Sequence, residues 1–110
     1  MYQLINEQAI YQYFGDDDPE MIREMIQIIL DTNVQDLKGL SMFYEKGDFI
    51  AIKKRCHKAK PSMSYIGAQR VRKILESIEN KPETSQALNE ELQDKLTLIE
   101  SELISFLDTI

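Results

Sequence analysis

The chain contains a single histidine, His57, within the run Cys56-His57-Lys58-Ala59-Lys60-Pro61-Ser62-Met63-Ser64-Tyr65-Ile66-Gly67-Ala68. A lone imidazole among lysines cannot build a metal cage of several nitrogen and sulfur ligands. It also has no partner for a nucleophile–base–orienter triad. A single imidazole can, however, attack phosphorus through a ring lone pair and hold the phosphoryl group it captures. Lys60, one helical turn on, is placed to meet a group carrying about two negative charges. Before such a group arrives, the lysines oppose an imidazolium. At ~6 Å, like charges repel by roughly 0.7 kcal/mol in water and ~3 kcal/mol at an effective dielectric of 20. The spacing therefore predicts an uncharged ring, which is the nucleophilic form.

Charge is distributed unevenly around this residue. Lys53, Lys54, Arg55, Lys58, Lys60, Arg70, Arg72 and Lys73 fall between Phe49 and Leu75, a stretch with no acid. The net charge is −6, so the rest of the chain carries −14 against this +8. An acidic body with one basic segment predicts a docking surface for an anionic partner. The −14 remainder argues against a nucleic-acid backbone as that partner.

Other chemistries find little support. There is no second histidine, no glycine-rich phosphate loop and no metal-ligand spacing. Asp16-Asp17-Asp18 before Pro19 reads as a solvated helix start, and Cys56 as a core thiol. An enzyme with its own turnover is not expected, nor is a cofactor or metal held by this chain. One cysteine allows no internal disulfide, which fits a reducing compartment. The opening Met1-Tyr2-Gln3-Leu4 lacks a signal peptide's basic region and apolar run, and no segment approaches ~20 apolar residues. A cytoplasmic location away from membranes is expected. The acidic surface gives no push toward self-association, so a monomer is expected.

The elements that must position His57 are helical. A chain of 110 residues suits one domain, 1–110, with a single core. A short first helix is predicted over Asn6–Phe14, with Gly15 as its cap. Asp16-Asp17-Asp18-Pro19-Glu20 then opens a helix extending to Lys46 through Ile22, Ile26, Ile29, Leu37, Leu40 and Tyr44, with Gly39 as a weak spot. Gly47-Asp48 closes it and caps the next. Phe49, Ile52, Cys56, Ala59, Met63 and Ile66 then form a stripe at spacings of three and four. Gly67 ends or bends that helix. Ala68, Val71, Leu75 and Ile78 mark another. After a turn at Asn80–Thr84, Leu88, Leu92, Leu96, Ile99, Leu103, Phe106 and Ile110 mark the last. Strand-type alternation is absent. Short connections between amphipathic helices predict an all-α, antiparallel up-and-down four-helix bundle with a short additional N-terminal helix.

On its helix His57 is rotated about 100° from the buried Cys56, at the edge of the stripe. It shares that face with Lys53, Lys54, Lys60, Pro61 and Ser64. Pro61 has no N–H to give the His57 carbonyl. Because Met63 and Ile66 keep the phase of the stripe, a helix that kinks at Pro61 and continues through it is expected.

These residues resemble the histidine-containing phosphotransfer (HPt) domain family, in detail over Asp48–Glu79 and in helix order over the whole chain. The family's motif is a histidine, a lysine three residues later, small residues, then Gly-Ala; here His57, Lys60, Ser62, Gly67 and Ala68 stand in register. Gly47-Asp48-Phe49 matches the turn leading into the motif helix, and Pro61 departs from the glycine many members have. The resemblance implies a phosphocarrier in a multistep phosphorelay. It would accept a phosphoryl group on His57 from a receiver-domain phospho-aspartate and pass it to another receiver, with Lys60 holding the group. Lys53, Lys54, Pro61, Ser64 and Gln69 would belong to the receiver-docking surface. The partners would be response-regulator receivers or a hybrid histidine kinase, and the Mg2+ would sit on the receiver. A second reading keeps the docking face and drops the phosphate: a helical adapter for receivers or other signalling proteins.

Overall fold

Side-chain caps open three of the helices, and left-handed glycines close two of the turns between them. A computed structural model, describing residues 2–110, has seven α-helices: α1 Glu7–Phe14, α2 Pro19–Asp31, α3 Asn33–Lys38, α4 Leu40–Lys46, α5 Phe49–Tyr65, α6 Gln69–Asn80 and α7 Gln86–Leu107. Among the described residues there is no strand. Asn6, Asp18 and Asp48 each accept a hydrogen bond from the backbone N–H three residues on, at 3.2, 3.1 and 3.1 Å. These bonds satisfy donors that a helix start leaves orphaned. No helix among the described residues is long and apolar enough to cross a membrane.

The helix predicted over Pro19–Lys46 is divided in two places, which corrects the reading of one continuous rod. Thr32 leaves the regular geometry (φ −114°, ψ −75°), and its Oγ1 donates to the Ile28 carbonyl at 2.6 Å. A β-branched residue bonding back one turn competes with the helix ladder. Gln35 Nε2 takes up the neighbouring Leu30 carbonyl at 3.2 Å. Gly39, the weak spot, is the second break. The apolar rhythm survives both, since Ile22, Ile26, Ile29, Val34, Leu37 and Leu40 are all buried. The expected turn at Asn80–Thr84 contains a short 3-10 segment, Pro82–Thr84, with Pro82 buried.

α5 runs unbroken through Pro61. It packs against α6, α3 and α4, while α7 packs against α6 and against α2, α3 and α4. The buried side chains form one continuous core, with Ile52, Cys56, Ala59, Met63 and Ile66 of the α5 stripe inside it. Arg55 is drawn inward too. Its guanidinium donates to the Asp36 carbonyl at 2.9 Å and lies 4.5 Å from the Phe43 ring centre.

The α5–α6 turn fixes the register that matters for function. The Gly67 N–H bonds the Ser64 carbonyl at 3.1 Å, and the Ala68 N–H bonds the Met63 carbonyl at 2.8 Å. This is a Schellman closure, and it needs a left-handed residue at Gly67, where φ is +72°. Glycine is required there twice over. A Cβ on Gly67 would stand 2.5 Å from Asn6 Cβ and 2.9 Å from Ala9 Cβ, because α1 is seated on this turn. The Asn6 N–H also bonds the Ile66 carbonyl at 2.9 Å. Just upstream, the backbone N–H groups of Gln3, Leu4 and Ile5 donate to the buried Glu102 carboxylate at 2.7, 3.0 and 3.0 Å.

Gly47 closes α4 by the same motif at φ +67°, but nothing lies within 4 Å of a Cβ placed there. The pair separates conformational strain from collision. Gly47→Ala should cost about 1–2 kcal/mol, the left-handed penalty alone. Gly67→Ala should cost measurably more in urea unfolding, because α1 must also shift. Equal losses would mean that α1 does not sit on this turn.

Candidate functional site

Two antiparallel helices joined by a tight turn place residues equidistant from the turn level with one another, since both rise 1.5 Å per residue. His57 and Glu79 lie eleven residues on either side of Ala68, and Ser64 and Arg72 lie four on either side. Both pairs touch. His57 Nδ1 is 2.9 Å from Glu79 Oε1, and Arg72 Nη1 donates to Ser64 Oγ at 2.5 Å. Lys60, one turn beyond His57, donates to the other Glu79 oxygen at 3.0 Å.

Glu79 is the residue that sequence reasoning missed, and it sets the chemistry of the ring. Burial pushes its carboxyl up. Hydrogen bonds from Lys60 and His57, with their charges, outweigh that and hold it below the usual carboxylate range. The carboxylate is thus ionised at neutral pH and can only accept hydrogen bonds. Nδ1 must therefore carry the proton of this contact. In a neutral ring, Nε2 then carries the lone pair. The His57 side chain is 75% exposed, whereas Glu79 is only 14% exposed. The orienting group is covered and the imidazole it orients is open to solvent.

This corrects the electrostatic expectation that ammonium groups alone surround the ring. The group in contact with the imidazole is an anion, and the Lys60 ammonium neutralises the far side of that anion. Lys53, Lys54 and Lys58 are exposed and engage in no salt bridge among the described residues.

His57, Lys60, Pro61, Ser64 and Arg72 line one open groove, with Tyr13 of α1 and Tyr65 at its aromatic end. The Tyr13 and Tyr65 rings meet edge to face, with centroids 5.0 Å apart. Among the residues expected on the docking surface, Pro61, Lys53, Lys54 and Gln69 are exposed, and of these four Pro61 alone lines the groove, together with the buried Ser64. Ser64 is 7% exposed and tied to Arg72, so it offers little surface of its own. The geometry of α5 alone puts Ser64 on the outer face, and Arg72 of α6 closes over it. Tyr13 and Arg72 were also unanticipated. Arg72 could have been found from the hairpin register; Tyr13 depends on how α1 docks.

Cys56, next to the histidine, points the other way into the core. Burial pushes its thiol up to about 12, helped by the Glu79 charge and opposed by Lys60. It is an inert core thiol. Among the described residues, no three histidine, cysteine, aspartate or glutamate side chains converge as a metal ligand set. No family model matches the chain, and no curated protein or solved structure is significantly similar to it.

The Glu79 contacts make a pH-dependent contribution to stability. A carboxyl lowered by folding stabilises the native state fully above its unfolded value of 4.5 and loses that effect as pH falls through the lowered one. Glu79→Gln should therefore be less stable than the parent by about 1 kcal/mol at pH 7. In denaturant titrations the gap should close below pH 4.5. A gap that stays constant down to pH 2 would contradict the assignment.

Proposed function

We propose that this chain is a histidine phosphotransfer protein, a carrier that takes a phosphoryl group on His57 and gives it to another protein. The observation that carries the reading is one exposed imidazole whose Nδ1 is held by a covered carboxylate, which leaves Nε2 without a hydrogen-bond partner among the described residues. In this reading the Nε2 lone pair attacks the phosphorus of a partner's aspartyl phosphate. The N–P bond forms, the P–O bond breaks, and the partner's carboxylate leaves with the electron pair. The ring becomes cationic as it reacts, and the Glu79 carboxylate opposite the Nδ1–H stabilises that charge. Delivery is the reverse: an acceptor carboxylate attacks phosphorus and the electron pair returns to Nε2.

Lys60 supports the same step. Its ammonium has three N–H donors, so it can keep Glu79 and offer another to a phosphoryl oxygen. Pro61 gives the groove a compact wall one turn from the ring, which lets a partner approach closely. The exposed Lys53 and Lys54, one turn before His57 on α5, and Gln69 at the start of α6 belong to the proposed docking surface for an acidic receiver domain. On this reading the chain carries no cofactor of its own and needs no independent turnover; the Mg2+ belongs to the receiver.

The same proposal covers the architecture. With α2–α4 taken as one interrupted helix, the contacts close a ring: α2–α4 on α5, α5 on α6, α6 on α7, and α7 on α2–α4. We read that ring as an up-and-down four-helix bundle with α1 as the additional short helix, seated over the α5–α6 turn.

Incubation with a phosphorylated receiver domain, followed by an acid-lability assay, tests the carrier reading. The parent chain should take up acid-labile phosphate. His57→Gln should fold and bind but take up none, while Lys60→Ala should keep its helix content and lose roughly tenfold in rate. Undiminished uptake by His57→Gln would overturn the reading. Receiver binding without uptake by the parent would favour the adapter.

A further inference from the structure

Arg72 occupies the end of the groove away from His57, and its hydrogen-bonding capacity is mostly unused. The guanidinium has five N–H donors. Among the described residues it makes one hydrogen bond, from Nη1 to the buried Ser64 hydroxyl at 2.5 Å. Its Nε is shielded from solvent and has no partner. The nearest acid, Glu76, stands 3.9 Å from that nitrogen, beyond hydrogen-bond reach, and is itself half exposed. The other cation in the groove, Lys60, is already bonded to Glu79 at 3.0 Å. The exposed Arg70 and Lys73 on α6 add positive charge nearby.

Position separates Arg72 from the phosphoryl chemistry. Ser64 is seven residues along α5 from His57, about 10 Å at 1.5 Å per residue. A group anchored at Ser64 therefore meets the partner's surface rather than a phosphoryl on Nε2. A planar, pre-set guanidinium fork matches a carboxylate with two parallel hydrogen bonds, which an ammonium cannot do. The side chain is 41% exposed, so an incoming carboxylate has access, and Ser64 holds the fork in place.

We propose that Arg72, pinned by Ser64, is a carboxylate-recognition point. It binds an aspartate or glutamate side chain on the surface of the docking protein, about 10 Å along the groove from the histidine. This inference rests on the phosphotransfer reading for the partner's class but assigns a separate role: Arg72 sets affinity and choice of partner, not the reactivity of the ring. Glu76 occupies the neighbourhood in the free protein and is displaced on docking.

The test uses the full chain and a panel of the host cell's receiver domains phosphorylated with acetyl phosphate, with phosphoramidate as a donor too small to reach Arg72. Binding is measured by calorimetry on the tightest-binding member. Arg72→Gln, which can still bond Ser64, should weaken receiver binding about tenfold and flatten its salt dependence. Arg72→Lys should recover only part of the loss. Labelling of His57 by phosphoramidate should be unchanged in both variants. Equal receiver affinity for the parent and Arg72→Gln would overturn the proposal, as would no binding by any member. An equal fall in labelling by both donors would also overturn it, since that marks a structural role. Arg72-dependent binding without phosphate uptake by the parent would uphold this inference and sink the carrier reading.

Discussion

The Glu79 carboxylate spans the seam between α5 and α6, with one oxygen against His57 Nδ1 and the other against Lys60 Nζ. The free ring nitrogen, the placement of the Lys60 ammonium and the direction the imidazole faces all depend on that bridge. Its value lies in geometry more than in stability. Partly exposed ion pairs contribute about 1 kcal/mol or less, whereas each large side chain in the core contributes about 1.5–3 kcal/mol by burial. The core could hold the helices together without Glu79. The core alone, however, would leave the imidazole free to rotate and to choose either tautomer.

What holds the bridge in register is the turn beneath it. The Schellman closure at Gly67 sets α6 level with α5, so a residue eleven positions before Ala68 meets one eleven positions after it. α1 lies over that turn through the Asn6–Ile66 backbone bond, and Glu102 of α7 holds the segment leading into α1. Tyr13 reaches the groove from α1, so the far helix α7 is linked mechanically to the wall of the site. Ordinary packing thus places two polar pairs, His57–Glu79 and Ser64–Arg72, along one line.

Much of the fold was legible because the apolar periodicity carries it. The stripe from Ile52 to Ile66 is buried as its spacing predicted, and the continuation through Pro61 followed from Met63 and Ile66 keeping phase. The break at Thr32 was not legible. Its cause is one hydroxyl choosing a backbone carbonyl, and it leaves the hydrophobic pattern untouched. Within the candidate site, composition and one helix's geometry single out His57 and Lys60 but misread their surroundings. Counting charges along α5 gives only lysines near the ring. The acid that matters is 22 residues away and enters only when α6 is folded back. The basic segment was likewise too generous as a docking face, since Arg55 is used internally and Lys60 is paired with Glu79.

Nitrogen-15 NMR of the His57 ring tests the central claim most directly, because the two tautomers give distinct long-range proton–nitrogen patterns. Above the pH at which the ring loses its charge, the account predicts the Nδ1–H form with Nε2 unprotonated, and a shift toward the Nε2–H form in Glu79→Ala. A ring found in the Nε2–H form, or one whose tautomer is indifferent to the loss of Glu79, would contradict it.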